Sequence, residues 1–352
     1  MKKILILGGG TAGTMMANKL FKALDRQEWE ITIVDQHKTH YYQPGFLFIP
    51  FGIYNKSDVV KPKGDFFPSG VKVIYQEIDR VEGEENKVHL GDGTCLKYDF
   101  LIIATGTQTR PDETPGLLGN EWRQSIFDFY TVEGAVALQQ FFKSWEGGKL
   151  VMAISELPFK CPVAPIEFVC LAEAYFTEKG IRDKVDITYV TPLPGAFTKP
   201  IATKMLSQLL EDKNIKVVPE FYIESVDGEN KVIKSYDEVE IPYDVLTIVP
   251  VNMGSEMIER SGLGDDMNYV ETDKETLQSK KFENIFVLGD ASNIPTSKAG
   301  SVAHFAAEIL FENMMNAIEN RPMTAKFDGH ANCYIETGYG KGALIDFNYD
   351  TE

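Results

Sequence analysis

Ile4-Leu5-Ile6-Leu7-Gly8-Gly9-Gly10-Thr11-Ala12-Gly13 is the stretch on which the fold turns. Four apolar residues in unbroken succession mark a strand buried on both faces, as in a parallel sheet. The pattern Gly8-x-Gly10-x-x-Gly13 follows at once, and Met15, Met16, Leu20 and Leu24 then lie along a helical stretch. Ile31-Thr32-Ile33-Val34-Asp35 is a second apolar strand, and its closing acid lies about twenty residues beyond the last glycine. Together these make the opening βαβ unit of a dinucleotide-binding fold. The glycines allow a tight turn and close approach to a pyrophosphate resting on the helix N-terminus. Asp35 is expected to accept hydrogen bonds from a ribose hydroxyl.

Further along, Tyr98-Asp99-Phe100-Leu101-Ile102-Ile103 runs into Ala104-Thr105-Gly106. A second α/β cycle starts after Gly147-Gly148, with strands at Leu150–Ile154 and Val185–Val190 and a helix from about Ile166 to Glu178 between them. Tyr243–Pro250 repeats the form of the Tyr98 strand, so the chain contains two similar nucleotide-fold halves. Near residue 284 the first half resumes with Asn284–Asp290, and a helix follows from about Gly300 to Ile318. The fold class is therefore α/β: two Rossmann-like units in tandem, the second inserted in the first, with a short C-terminal β-containing segment. The expected boundaries are 1–110 with 270–320 for the cofactor unit, 111–269 for the second unit and 321–352 for the last segment. The apolar run Phe46–Tyr54 is read as a core loop or as the wall of an apolar pocket.

The chain has 352 residues with 43% hydrophobic and 25% charged residues, the composition of a two-domain globular protein. A formal net charge of −17 opposes binding to nucleic acid, which requires clustered lysine and arginine. No apolar run approaches the length of a membrane-spanning helix. The N-terminal apolar run is too short for a signal peptide, so the expected location is the cytoplasm or the inner face of the cell membrane. The four cysteines, Cys95, Cys161, Cys170 and Cys333, are too few for a disulfide framework. No two of them form a C-x-x-C pair, and no metal site is expected.

In the second half, the loop in the glycine-rich position reads Ser155-Glu156-Leu157-Pro158-Phe159-Lys160-Cys161-Pro162-Val163-Ala164-Pro165. It has no glycine for close approach to a pyrophosphate, and its prolines lack N–H donors. A nicotinamide nucleotide is not expected there, so the electrons must come from another donor. Cys161 sits in this loop, and Cys333 lies far away in Asp328-Gly329-His330-Ala331-Asn332-Cys333.

Ala104-Thr105-Gly106 and Gly289-Asp290 resemble motifs of the flavoproteins with two dinucleotide-binding domains. The K-C-x-x-A-P loop at Cys161 and the D-G-x-x-x-C segment at Cys333 resemble the sulfide:quinone oxidoreductase family. They are also similar to the flavoprotein subunit of flavocytochrome c sulfide dehydrogenase. Asp273–Gln278 and Asn293–Lys298 match the quinone-linked family as well. The resemblance covers nearly the whole chain. It implies FAD bound by Gly8, Gly10, Gly13, Asp35, Thr105, Gly106, Gly289 and Asp290, with Asp290 on the ribityl chain. Lys298 precedes the helix facing the flavin pyrimidine; it either adds a charge there or is a solvated surface lysine. Cys161 and Cys333 are implied as the catalytic pair that oxidises sulfide to sulfane sulfur or polysulfide, with electrons passing through FAD to a quinone. Lys160 is a candidate for keeping a thiolate ionised, and Glu167 either manages protons or faces solvent. Cys95 and Cys170 are read as structural. The cysteine that faces the flavin is left open, with Cys161 preferred.

Two departures bear on this resemblance. Many bacterial members have a third cysteine upstream, and Ile126–Tyr130 has none, as in the mitochondrial type. Membrane-docking members carry amphipathic helices and an aromatic-basic segment beyond the position of Glu352, so a naturally short chain, a piece of a longer one and a different acceptor all stay open. The expected partners are sulfide and quinone, with peripheral membrane contact and a homo-oligomer also foreseen. The competing functions are a sulfide dehydrogenase with a cytochrome c acceptor, a type II NADH:quinone dehydrogenase and a flavin-binding sensor without turnover.

Overall fold

The computed structural model describes residues 1–351. Among them are six α-helices: α1 (Thr11–Ala23), α2 (Val132–Ser144), α3 (Ala164–Glu178), α4 (Pro200–Asp212), α5 (Glu256–Arg260) and α6 (Gly300–Ile318).

The first sheet has five parallel strands in the spatial order Ile285–Val287, Phe100–Ile103, Lys2–Leu7, Trp29–Val34, Lys72–Ile74. Alternation within the opening strand sorts its side chains between two cores. Ile4 and Ile6 join the large cluster under α1 and α6. Leu5 and Leu7 face the opposite side with Leu101, Ile103 and Val287. Both faces are thus buried, which is why the run is continuously apolar.

The second sheet is also parallel, in the order Ile126–Phe127, Val245–Val249, Gly148–Ile154, Val185–Val190, Lys216–Val218. The chain crosses between the sheets twice, and the two crossings pair as antiparallel strands, Gln108–Arg110 with Val251–Met253. Each half also carries a three-stranded antiparallel meander, at 78–97 and at 223–242. The run Phe46–Tyr54 is core in its first part: Phe46, Leu47, Ile49 and Phe51 are buried, the Phe51 ring packs among Phe142, Phe168 and Tyr175, and Ile53 is exposed.

The C-terminal segment is one hairpin, Ala331–Gly338 with Lys341–Phe347. Its inner face carries Cys333 and Ile335, and a Cβ on Gly338 would meet Ala174 and the Cys170 carbonyl of α3 at 3.0 Å. α3 is therefore covered on two sides, by its own sheet and by the hairpin, and most of its residues are buried. The tip of the hairpin is tied down: the Tyr339 hydroxyl donates to Glu173 Oε1 at 2.7 Å, and Lys213 Nζ pairs with Glu173 Oε2 at 2.8 Å. No helix among the described residues is long and apolar enough to cross a membrane.

Candidate active site

The register of the first sheet aligns three loops. Leu7 pairs with Ile103, and Ile103 pairs with Val287, so the three strands end at one level. From those ends leave the glycine turn at Gly8, the Ala104-Thr105-Gly106 loop and the Gly289-Asp290 turn. Their first residues are stitched together, with the Ala104 amide donating to the Leu7 carbonyl at 2.8 Å and the Leu288 amide to the Ile103 carbonyl at 3.0 Å. This carboxyl-end edge, where the strand order reverses, is where open α/β sheets hold ligands.

Several features of this edge fit a flavin dinucleotide. α1 opens at Gly10 with no side-chain cap and no acid in its first turn, so its leading amides are free for a pyrophosphate. α6 likewise opens at Ala299 with no side-chain cap and no acid in its first turn. Its positive end suits a ring that gains negative charge on reduction. Two buried hydroxyls at these loops, Thr105 Oγ1 and Ser301 Oγ, have no hydrogen-bond partner among the described residues. Such groups are costly unless something polar meets them. Burial pushes the Asp290 carboxyl up, and Lys298 and Lys160 oppose that shift.

Two lysines sit differently from the readings above. Lys298 is not solvated: it is 8% exposed, its Nζ donates to the Asp290 and Ser292 carbonyls at 2.8 and 2.9 Å, and it lies 3.5 Å over the Tyr269 ring. Burial lowers its pKa to about 8. Lys160 is itself pushed down by burial and stands in the fields of Asp290, Asp128 and Cys161. Its charge attracts the Cys161 thiolate but does not outweigh the burial of that thiol. That thiol is pushed up by burial, then by Glu167 and Cys333, against a favourable hydrogen bond from the Ala164 amide.

Cys161 and Cys333 are brought into one neighbourhood. All four cysteines are free thiols in the structure. The loop of Cys161 is bound to the segment before α6, its amide donating to the Lys298 carbonyl at 2.7 Å. The start of the hairpin is bound to the same segment, with Thr296 Oγ1 donating to the Gly329 carbonyl at 3.0 Å. Cys161 lies in the electrostatic field of Cys333 and of Asp290. Burial, then Glu167, pushes the Cys333 thiol up to about 11.

Cys161 adopts φ +54°, a conformation that side chains rarely take. It is held there from both sides: its amide by Lys298, and its carbonyl by the Ala164 amide at 3.0 Å and the Tyr130 hydroxyl at 3.3 Å. Tyr130 in this role is not legible from the chain alone, since it stands among aromatic residues that read as core.

Glu167 is buried, not solvent-facing, because the hairpin covers its side of α3. Its Oε1 accepts the Glu336 amide at 2.9 Å, and burial raises its pKa to about 7. The unfolded carboxyl titrates near 4.5, so the unfolded chain gives up its proton first. Stability therefore falls as pH rises between about 4.5 and about 7 and stays reduced above that window. Glu167→Gln keeps the acceptor without the charge. It should be more stable than the parent at pH 8 by about 1–3 kcal/mol and no more stable near pH 4. Denaturant melts at the two pH values measure this; a gain that does not depend on pH means that Glu167 titrates alike in the folded and unfolded chain.

Cys170 is fully buried on α3 and Cys95 is exposed on a meander strand, and nothing places either beside the pair. Among the described residues no cluster of His, Cys, Asp or Glu could hold a metal ion.

Comparison with known proteins agrees with this geometry. Residues 2–144 match the family model described as pyridine nucleotide-disulphide oxidoreductase. The mitochondrial sulfide:quinone oxidoreductase of Dictyostelium discoideum is 30% identical over 99% of this chain and 78% of its own length. That of Mus musculus is 28% identical over 99% of this chain and 79% of its own. The solved sulfide:quinone oxidoreductase of Aquifex aeolicus superposes with a TM-score of 0.83 at 19% identity, covering 99% of this chain and 87% of that one. The chain belongs to the sulfide:quinone oxidoreductase family.

Proposed function

We propose that this protein oxidises sulfide through Cys161 and Cys333 and delivers the electrons by way of FAD to a quinone. The observation that supports it most is the convergence of two thiols, remote in sequence, on the segment that follows Asp290. The cofactor unit is residues 1–110 with 270–320, and Gly8, Gly10, Gly13, Asp35, Thr105, Gly106, Gly289, Asp290 and Lys298 hold the FAD. Residues 111–269 form the second unit, and 321–352 carry the second thiol.

In the oxidised pair, hydrosulfide attacks one sulfur of the Cys161–Cys333 disulfide. A new S–S bond forms on that cysteine as a persulfide, the old one breaks, and the other cysteine leaves as thiolate. The thiol form of that group is favoured by its surroundings, so it needs a proton partner at hand. Glu167, titrating near neutrality and acting on both sulfurs, takes or returns that proton. The Ala164 amide at the start of α3 favours the Cys161 thiolate once it forms. Packing of the hairpin against α3 buries Cys333, while Cys161 is half-buried and open to hydrosulfide. The sulfane sulfur then passes from the persulfide to a second hydrosulfide, which leaves as polysulfide and returns that cysteine as a thiol; bound FAD would supply the two-electron acceptor as the two cysteines re-form their disulfide, with a quinone as the final acceptor.

On the outer face of the hairpin Tyr334 and Leu344 pair in register, and they are 78% and 53% exposed. This supports contact with the surface of the membrane in which a quinone resides, and with it a peripheral location on the inner face of the cell membrane.

The test is anaerobic mixing of the purified protein with sulfide. Rapid bleaching of the flavin, reversed by a short-chain quinone, is expected. Bleaching by NADH in place of sulfide assigns the protein to NADH oxidation instead, and a flavin unmoved by either removes the enzyme reading.

A further inference from the structure

The Asp35 carboxylate is already engaged by the protein. Oδ2 accepts the Gly9 amide at 2.7 Å and the Lys63 ammonium at 2.6 Å, and Oδ1 accepts the His37 amide at 2.7 Å. A carboxylate offers about four lone-pair positions, so about one remains. A ribose edge presents two neighbouring hydroxyls, and Asp35 can take only one of them while these contacts persist. Asp35 alone therefore cannot meet both hydroxyls of that edge.

Lys63 stands at the same place. It is 6% exposed, an unusual state for a lysine, and its stem lies against the glycine turn: a Cβ on Gly9 would come 3.3 Å from Lys63 Cδ. Its ammonium has three N–H donors, and the one hydrogen bond it makes among the described residues is to Asp35. Asp35 in turn pins the turn whose helix receives a pyrophosphate. Two donors thus remain on a buried cation beside the glycine turn, where the ligand carries only acceptor oxygens on its phosphates and donor–acceptor hydroxyls on its ribose.

We propose that Lys63 is a cofactor-binding residue, contacting the oxygens of the ADP half of FAD, with Asp35 holding both it and the Gly9 turn in place. The proposal rests on FAD as the cofactor. A merely structural alternative exists, in which Lys63 only neutralises a buried Asp35.

Ligand cycles on apoprotein separate the two. The parent and Lys63→Met are titrated with FAD, FMN, ADP, 2′-deoxy-ADP and adenosine, read by flavin fluorescence or by displacement of FAD. Loss of a hydrogen bond to a charged donor predicts FAD and ADP binding weakened by about tenfold to a hundredfold. FMN, which lacks the adenosine half, should change by less than about twofold. A contact to the ribose appears as a 2′-hydroxyl that matters in the parent and not in the variant. A contact to phosphate appears as a smaller ADP-over-adenosine preference in the variant. Equal loss for every ADP-type ligand, with additive cycles, overturns the proposal, as does unchanged ADP binding. Should Lys63→Met fail to fold, Lys63→Arg keeps the counter-ion for Asp35 but moves the donors. An unaltered ligand pattern there also overturns it. A parent apoprotein that binds no FAD at all defeats the cofactor reading itself, a separate outcome.

Discussion

Cys161→Ser protein is expected to bind FAD as the parent does and to lose sulfide-driven flavin reduction by on the order of a thousandfold or more. A hydroxyl cannot form or exchange an S–S bond, so neither the disulfide nor the persulfide can exist on that side of the pair. The variant changes one atom and leaves the main-chain contacts of residue 161 with Lys298 and Ala164 in place. The loops assigned to the cofactor, at Gly8, Thr105 and Asp290, belong to other strands, so the flavin spectrum should be unaltered. Cys333→Ser should match it, and the double variant should be no slower than either single one, because the two sulfurs act as one device. Stopped-flow bleaching under anaerobic sulfide measures this. A Cys161→Ser rate within tenfold of the parent removes residue 161 from the mechanism.

Gly13→Ala should yield protein with little or no flavin and a markedly lower melting temperature. A methyl at this position would lie 1.9 Å from the Gly8 carbonyl oxygen and 3.2 Å from Ile6 Cγ2. The carbonyl is main chain and cannot swing aside, and the Gly8 amide is itself bonded to the Val34 carbonyl at 2.8 Å. α1 must therefore lift from the sheet and carry its amide-rich end away from the pyrophosphate. Overpacking of this kind typically costs 1–3 kcal/mol and more where backbone must move. Gly10→Ala is the informative contrast, since no described atom beyond its chain neighbours lies within 4 Å of the added methyl. Its apoprotein should melt like the parent, while FAD affinity falls because the methyl stands between backbone and phosphate. Differential melts with and without added FAD distinguish the two. Equal apoprotein stability for Gly13→Ala and Gly10→Ala contradicts this account.

What could be read from the linear chain was what short-range pattern encodes. Gly8 to Gly13, Asp35, Gly289-Asp290 and the cysteine loop are local signatures, and a strand buried on both faces is unmistakable at Ile4–Leu7. The position of α6 also follows from its own residues. Properties set by long-range packing were not legible. Glu167 lies on a helix whose amphipathic pattern is weak because both sides are covered, and only the docking of a hairpin far along the chain makes it buried. Lys298 and Lys63 belong to a residue type that is mostly solvated, and nothing beside them in sequence announces that each is enclosed. Tyr130 contacts Cys161 across a gap of 31 residues. Lys160 lies in the field of Cys161 as a candidate partner should, but adjacency in sequence says nothing about the desolvation that dominates at both residues.

The late arrival of two parts has a bearing on biosynthesis. The sheet edge begun by Lys2–Leu7 is completed by Ile285–Val287, and the second sulfur waits for the hairpin from Ala331 to Phe347. A ribosome must translate beyond residue 333 before the third loop and Cys333 can both emerge from its exit tunnel. On the proposed mechanism, nascent chains that carry the glycine turn but not yet Cys333 have no means of reducing a flavin with sulfide, and products terminated before Ala331 are silent toward it.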